Sequence, residues 1–152
     1  MIAVVSSSHY PDDERIYQKQ ICSLLKYGKR VLYITKSNSN INISQKRLIH
    51  LNFDSLLSLE EFIKKASMDI IKREKVSHIQ IHDTDLLPIL KIVKSSLSDI
   101  LTIYDVHENM NALYRTFSER HFIFKELAIM KRSFNEKMHL KFVDQIILAN
   151  PA

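Results

Sequence analysis

A chain of 152 residues, 45% hydrophobic and 26% charged, has the length and composition of one globular domain able to bury a core. Its 22 Lys and Arg against 17 Asp and Glu leave a net charge of +5, which favours an anionic partner (nucleic acid, anionic lipid or a phosphorylated ligand) without choosing among them. One glycine, Gly28, is too few for a dinucleotide fingerprint or a P-loop, and no apolar run approaches the roughly 20 residues of a membrane span.

Residues 2–6 read as a buried strand. No basic segment precedes them and no small-residue cleavage site follows, so they do not read as a signal peptide. Asp12 and Asp13 then put acid in the first turn of a helix just after Pro11. Ile16, Ile21, Leu24 and Leu25 give that helix a rough apolar stripe, and Gly28 suits its C-cap. The lone Cys22 within it makes no internal disulfide and reads as a small buried residue, consistent with a reducing cytoplasm. Residues 31–35 predict a strand, 37–44 a polar Ser/Asn loop, and 47–53 a short strand. Phe62, Ile63, Ala66, Ile70 and Ile71 predict a helix over 60–73. A strand over 77–81, a helix over 88–95 with Pro88 in its first turn, and a strand over 100–104 follow. Residues 111–142 read as mostly helical with a break near His121, and 145–149 as the last strand. Strand and helix alternate almost throughout, which predicts an α/β fold: a Rossmann-like, doubly wound, mainly parallel sheet covered on both faces. A strand that stops at Asn150-Pro151-Ala152 reads as a chain cut at a domain boundary.

Two predicted strands end alike. Ile79-Gln80-Ile81-His82-Asp83-Thr84-Asp85 and Ile103-Tyr104-Asp105-Val106-His107-Glu108 are short apolar runs that stop at a His flanked by carboxylates. Val4-Val5-Ser6-Ser7-Ser8-His9 is a third polar strand end. Ligands of open α/β sheets bind beyond the carboxyl ends of the strands, so these ends predict one shared polar site. No Cys and His spacing suits zinc, and no Gly-x-Ser-x-Gly elbow is present.

Asp13-x-Arg15-Ile16, His82-Asp83-x-Asp85-Leu86-Leu87-Pro88 and Tyr104-Asp105-Val106-His107-Glu108 together resemble the family-4-like GT-B glycosyltransferases, in order and spacing, over essentially the whole chain. The resemblance implies two Rossmann-like domains facing across a cleft. The N-terminal one binds the acceptor and the C-terminal one most of a nucleotide-diphosphate sugar. Transfer in this group usually retains configuration, without a bound metal or other cofactor. This chain resembles the N-terminal domain alone, one unit over 1–152. The donor domain is then expected from the same chain continued or from a separate subunit. One departure stands out: where the family commonly carries glycine near the donor phosphates, this chain has Ser6-Ser7-Ser8-His9. Serine hydroxyls and backbone N–H groups can still bind an anion or a sugar hydroxyl.

By the resemblance, His107 lies near the transferred sugar, with a charge that responds to Asp105 and Glu108. Capping of the next helix is its structural alternative. Glu108 would orient His107 or bind acceptor hydroxyls, or serve only as an N-terminal helix charge. Ser8, His9, Asp13, Arg15, His82 and Asp83 are expected to bind acceptor or donor, and Asp105 reads as structural. Asp85 is expected either beside His82 and Asp83 on the acceptor side or as the N-cap of the Pro88 helix. Arg15 suits an acceptor phosphate, or ties down an Asp on its own helix. Lys125, Lys131, Arg132 and Lys137 lie among Leu127, Ile129, Met130, Phe134 and Met138. Such a helix either lies on an anionic inner-membrane surface or covers the domain with a solvated basic face.

The expectation is therefore the acceptor-binding half of a retaining glycosyltransferase. It would serve a lipid-linked or glycan acceptor in bacterial surface-polysaccharide assembly, in the cytoplasm or peripherally on the inner membrane face, and be inactive alone. The alternative is a non-enzymatic membrane-docking or scaffolding subunit that recruits a separate donor-domain partner. A nucleic-acid partner is not expected: that reading rests on charge alone, without an aromatic stacking platform or Arg-rich stripe.

Overall fold

The computed structural model describes residues 1–41, 43–73, 75–106 and 121–148. The β-branched runs form six strands: β1 (Ile2–Ser6), β2 (Val31–Lys36), β3 (Leu48–Phe53), β4 (His78–Ile81), β5 (Leu101–Val106) and β6 (Gln145–Leu148). They make one sheet in the order β3-β2-β1-β4-β5-β6, and every pairing is parallel. Parallel neighbours need crossover connections. Helix α1, π-helical over Glu14–Ile21 and α-helical over Cys22–Lys26, follows β1. Helices α2 (Leu59–Lys72), α3 (Leu87–Ser96) and α4 (Phe122–Leu140) precede β4, β5 and β6 respectively. This is a Rossmann-like, doubly wound α/β fold. The chain winds outward from β1 to β3 and then returns to place β4 on the other side of β1. The order therefore reverses between β1 and β4.

Alternation along β1 serves two cores, because successive side chains leave opposite faces of a strand. Ala3 and Val5 join Leu32, Ile34, Ile79 and Ile81 against Phe62, Ala66 and Ile70 of α2 and Leu87 and Leu90 of α3. Val4 joins Val31 and Tyr33 against Ile16 and Ile21 of α1.

Local chemistry explains the helix ends. Asp13 is the cap of α1 rather than a first-turn acid: its carboxylate accepts from the N–H groups of Arg15 and Ile16, both at 2.9 Å. The helix then starts wide, with the Asp13 carbonyl accepting from Tyr17 at 2.9 Å and Gln18 at 3.2 Å. Bonds of the i to i+5 kind bring residues five apart onto one side. That is why Ile16 and Ile21 are both fully buried, at a spacing foreign to an α-helix. Gly28 ends α1 with φ +74°, the N–H groups of Gly28 and Lys29 bonding to the carbonyls of Leu25 and Leu24. Helix α2 begins one residue before the expected position because Ser58 and Glu61 form a reciprocal capping box. Asp85 does not cap α3. A 3-10 turn over Thr84–Leu86 leads into that helix, and its N-cap, Leu86, has no side-chain cap bond. Strand β5 extends through Asp105 and Val106, two residues past its expected end. Residues 111–120 of the expected long helix lie outside the described residues, and α4 starts directly after His121.

Asp144 clips β6 to the rest of the sheet. Its carboxylate accepts from the Thr102 N–H and hydroxyl, both at 2.9 Å, and from Lys94 Nζ. The Lys94 ammonium and the Thr102 N–H hold the carboxyl below its ordinary 3.8, at about 2. A carboxyl depressed in the folded state contributes stability at pH values above its unfolded pKa, and loses it as pH falls through the folded one. Asp144→Asn is therefore expected to be less stable than the wild type at neutral pH. The gap should close as pH falls from about 4 towards about 2. Thermal melts of both proteins across that range would show it, and a gap independent of pH would refute it.

Candidate functional site

Strands β1, β4 and β5 deliver their carboxyl ends to one place. Ser6 ends β1, Ile81 ends β4 just before His82 and Asp83, and β5 brings Tyr104, Asp105 and Val106. A cleft of about 450 Å³ opens there, at the point where the strand order reverses. Its lining includes Ser8, His9, His82, Asp83, Tyr104 and Arg132.

The floor is a buried polar network centred on Asp105, which is fully buried. Arg15 Nη2 donates to Asp105 Oδ1 at 2.6 Å, and Gln20 Nε2 to Oδ2 at 2.6 Å. Gln80 Nε2 lies 3.3 Å from Oδ2, and His82 Nδ1 lies 3.5 Å from it. Gln80 also donates to Gln20 Oε1 at 2.9 Å. The wide start of α1 makes the double reach possible, because Arg15 and Gln20 are five residues apart and so point the same way.

The loop after β1 forms one wall by folding onto Asp83. Asp83 Oδ2 accepts from the Ser7 N–H at 2.7 Å, the Ser8 N–H at 3.4 Å and the Ser6 hydroxyl at 3.2 Å. His9 bridges two carboxylates, with Nδ1 3.4 Å from Asp13 and Nε2 3.9 Å from Asp83 Oδ1. Burial pushes the Asp13 carboxyl up, but the Ile16 N–H, the neighbouring His9 and the Arg15 N–H outweigh it. The net shift is downward, and Asp13 is held as an anion behind His9. Deeper in the lining, the buried Tyr104 shares a 2.7 Å hydrogen bond with Thr84, and burial raises its hydroxyl pKa.

Six of the residues expected at a ligand site line this cleft: Ser8, His9, Arg15, His82, Asp83 and Asp85; Arg132, expected at a membrane surface, lines it as well. Arg15 has its Nη2 committed to Asp105 on β5, not to an Asp of its own helix. Asp13 stands one layer back as a helix cap and a partner of His9. Arg132 turns towards the cleft and pairs with Asp85 at 3.6 Å. Together with Lys131, Leu59, Ile129 and Phe134 it also lines a neighbouring hollow of about 650 Å³. Lys125 and Lys137 lie on α4 away from both linings. His107 and Glu108 lie outside the described residues, directly after Val106 of the cleft lining. The sequence reading missed Gln20, Gln80, Thr84 and Tyr104. A polar Gln80 inside an apolar buried strand, and a Gln five residues beyond Arg15, were the available signals.

Among the described residues no group of three or more His, Cys, Asp or Glu could hold a metal ion, and no helix is long and apolar enough to cross a membrane. Fold and site together define a doubly wound α/β domain. Its switch-point cleft offers hydroxyls, imidazoles and carboxylates in place of a glycine-backed phosphate loop. The chain matches no protein-family model and no curated protein.

Proposed function

We propose that this domain is the acceptor-binding half of a retaining GT-B glycosyltransferase. It would pass a sugar from a nucleotide-diphosphate donor to a lipid-linked or glycan acceptor in bacterial surface-polysaccharide assembly. The observation that carries the reading is the convergence of His9 and Asp83 on one cleft at the switch point of the sheet, with the buried His82 ring packed on Asp105 beneath them. Such groups suit a polyol: carboxylates accept from its hydroxyls, and imidazoles accept or donate. The contribution to rate is positional. The domain holds an acceptor hydroxyl near the anomeric carbon and excludes water, while a donor half on the same chain or a partner subunit stabilises the departing diphosphate. His107 and Glu108 are assigned to the sugar side of the cleft by the resemblance of their motif.

The exposed face of α4 favours a second reading. Met130 and Phe134 are each 66% exposed, on the side of the helix that carries Lys131 and Lys137, and Ile129 is the one buried residue of this helix. An apolar face flanked by cations suits an anionic bilayer surface, as a peripheral docking or scaffolding subunit on the inner membrane face would need.

Co-sedimentation with anionic vesicles, with and without a polyprenyl-diphosphate sugar, across a salt series, tests both. The transferase reading expects binding that strengthens with the lipid-linked sugar and loses that gain in a folded His107→Ala variant. Binding indifferent to the sugar would leave the docking role alone, and sugar transfer by this chain without a donor half would overturn the half-enzyme reading.

A further inference from the structure

Rossmann-type loops receive a ligand's phosphate on the N–H groups that follow the first strand. In this protein those groups are already occupied. The Ser7 and Ser8 N–H groups point to a single oxygen, Asp83 Oδ2, at 2.7 and 3.4 Å. The Ser6 and Ser7 hydroxyls add contacts at 3.2 and 3.4 Å to that same oxygen. Successive N–H groups converging on one acceptor form an anion-binding concavity. The anion here comes from the chain itself, delivered by the end of β4 across the switch point, with its side chain only 10% exposed.

We propose that Asp83 is a built-in anion that fills the phosphate position of the β1 loop. This end of the cleft then rejects phosphate and receives a neutral, hydroxyl-bearing ligand. A phosphate entering beside Asp83 would meet a like charge within a few ångströms, in a partly desolvated site where the repulsion is weakly screened. It would also find the Ser7 and Ser8 N–H groups already directed at Asp83. A neutral hydroxyl suffers neither penalty. It can donate to Asp83 Oδ1, which faces the cleft beside His9 Nε2, 3.9 Å away. The same geometry accounts for serines where a phosphate loop would need glycine, since no ligand backbone or diphosphate has to approach closely here.

The assignment of Asp83 stands on loop geometry. Its consequence for substrate, a sugar hydroxyl at this position with the donor diphosphate held elsewhere, rests on the transferase reading. A purely structural Asp83, tying β1 to β4, predicts only lost stability on substitution. A built-in anion predicts a gained ligand.

The experiment titrates the 152-residue chain with inorganic pyrophosphate, wild type against Asp83→Ala, followed by calorimetry and by amide resonances. The expected result is at least a tenfold gain in pyrophosphate affinity in the variant, with the perturbation centred on the Ser7 and Ser8 amides. No gain, or wild-type binding that perturbs those amides equally, would overturn the proposal. Should Asp83→Ala fail to fold, Asp83→Asn keeps an acceptor oxygen and removes the charge. The pyrophosphate titration is then repeated on Asp83→Asn, and an affinity no higher than that of the wild type is equally fatal. Binding of a neutral glycan to the wild type is read separately. Its absence would count against the transferase reading, while the role of Asp83 would still be decided by the pyrophosphate titration.

Discussion

Arg15→Ala is expected to lose about 3 kcal/mol of folding stability, at the lower end of the range for breaking a buried ion pair by removing one partner. The cost comes from what stays behind. Asp105 is fully buried, and without Arg15 its charge faces the side-chain amides of Gln20 and Gln80 and the His82 ring. The lower end applies because the Arg15 side chain is 32% exposed, so water can enter and partly screen the abandoned carboxylate. Arg15→Lys should recover less than half of the loss, because an ammonium brings a point charge in place of a planar fork. The urea midpoint, read with an unchanged m-value, measures both. A loss under about 1 kcal/mol would mean that the other partners suffice to hold Asp105. The effect reaches the cleft as well. His82 lines it and rests 3.5 Å from Asp105, so ligand binding should weaken along with stability.

Phe62→Ala should cost about 3–5 kcal/mol, the usual range for emptying an aromatic position in a core. Phe62 is fully buried where α2 meets the sheet, edge-on to Phe53 with ring centroids 5.7 Å apart. With Ala66 and Ile70 it forms the inward stripe of α2, four residues apart at each step. This helix carries the chain from β3 back to β4, and β4 sets the switch point. A loosened α2 should therefore broaden resonances of His82 and Asp83 as well as lower the midpoint. Phe62→Leu keeps most of the apolar volume and should cost less than about 1.5 kcal/mol. Equal losses for the two variants would place the cost in the lost ring geometry rather than in the cavity.

The local grammar of the chain was legible in its sequence. Strand β1 at Ile2–Ser6, the C-cap at Gly28, the helix carrying Phe62, Ala66 and Ile70, and the parallel α/β class all follow from short-range patterns. A strand's alternation, a helix's apolar stripe and a glycine at positive φ are each set by neighbours within a few residues. Even the location of the cleft followed from polar strand ends, because a doubly wound sheet leaves its ligand crevice there.

The partners within the cleft were decided by the tertiary fold. Arg15 and Asp105 lie 90 positions apart, and Ser7 and Asp83 lie 76 apart. They meet because β1 comes to lie beside β4, and β4 beside β5. Periodicity cannot say which strands are neighbours, so the sequence left Arg15 between a ligand phosphate and its own helix. It also read Asp83 as a ligand group without the serine loop that holds it. Arg132 shows the same division. Its place on a basic amphipathic helix was visible in the sequence, but its turn towards Asp85 depends on how α4 docks against the end of β4. The sequence by itself determined which segments become strands and helices and where their polar ends lie. The tertiary structure alone decided which charges neutralise one another, because that choice follows strand order, and strand order is set by packing between distant segments.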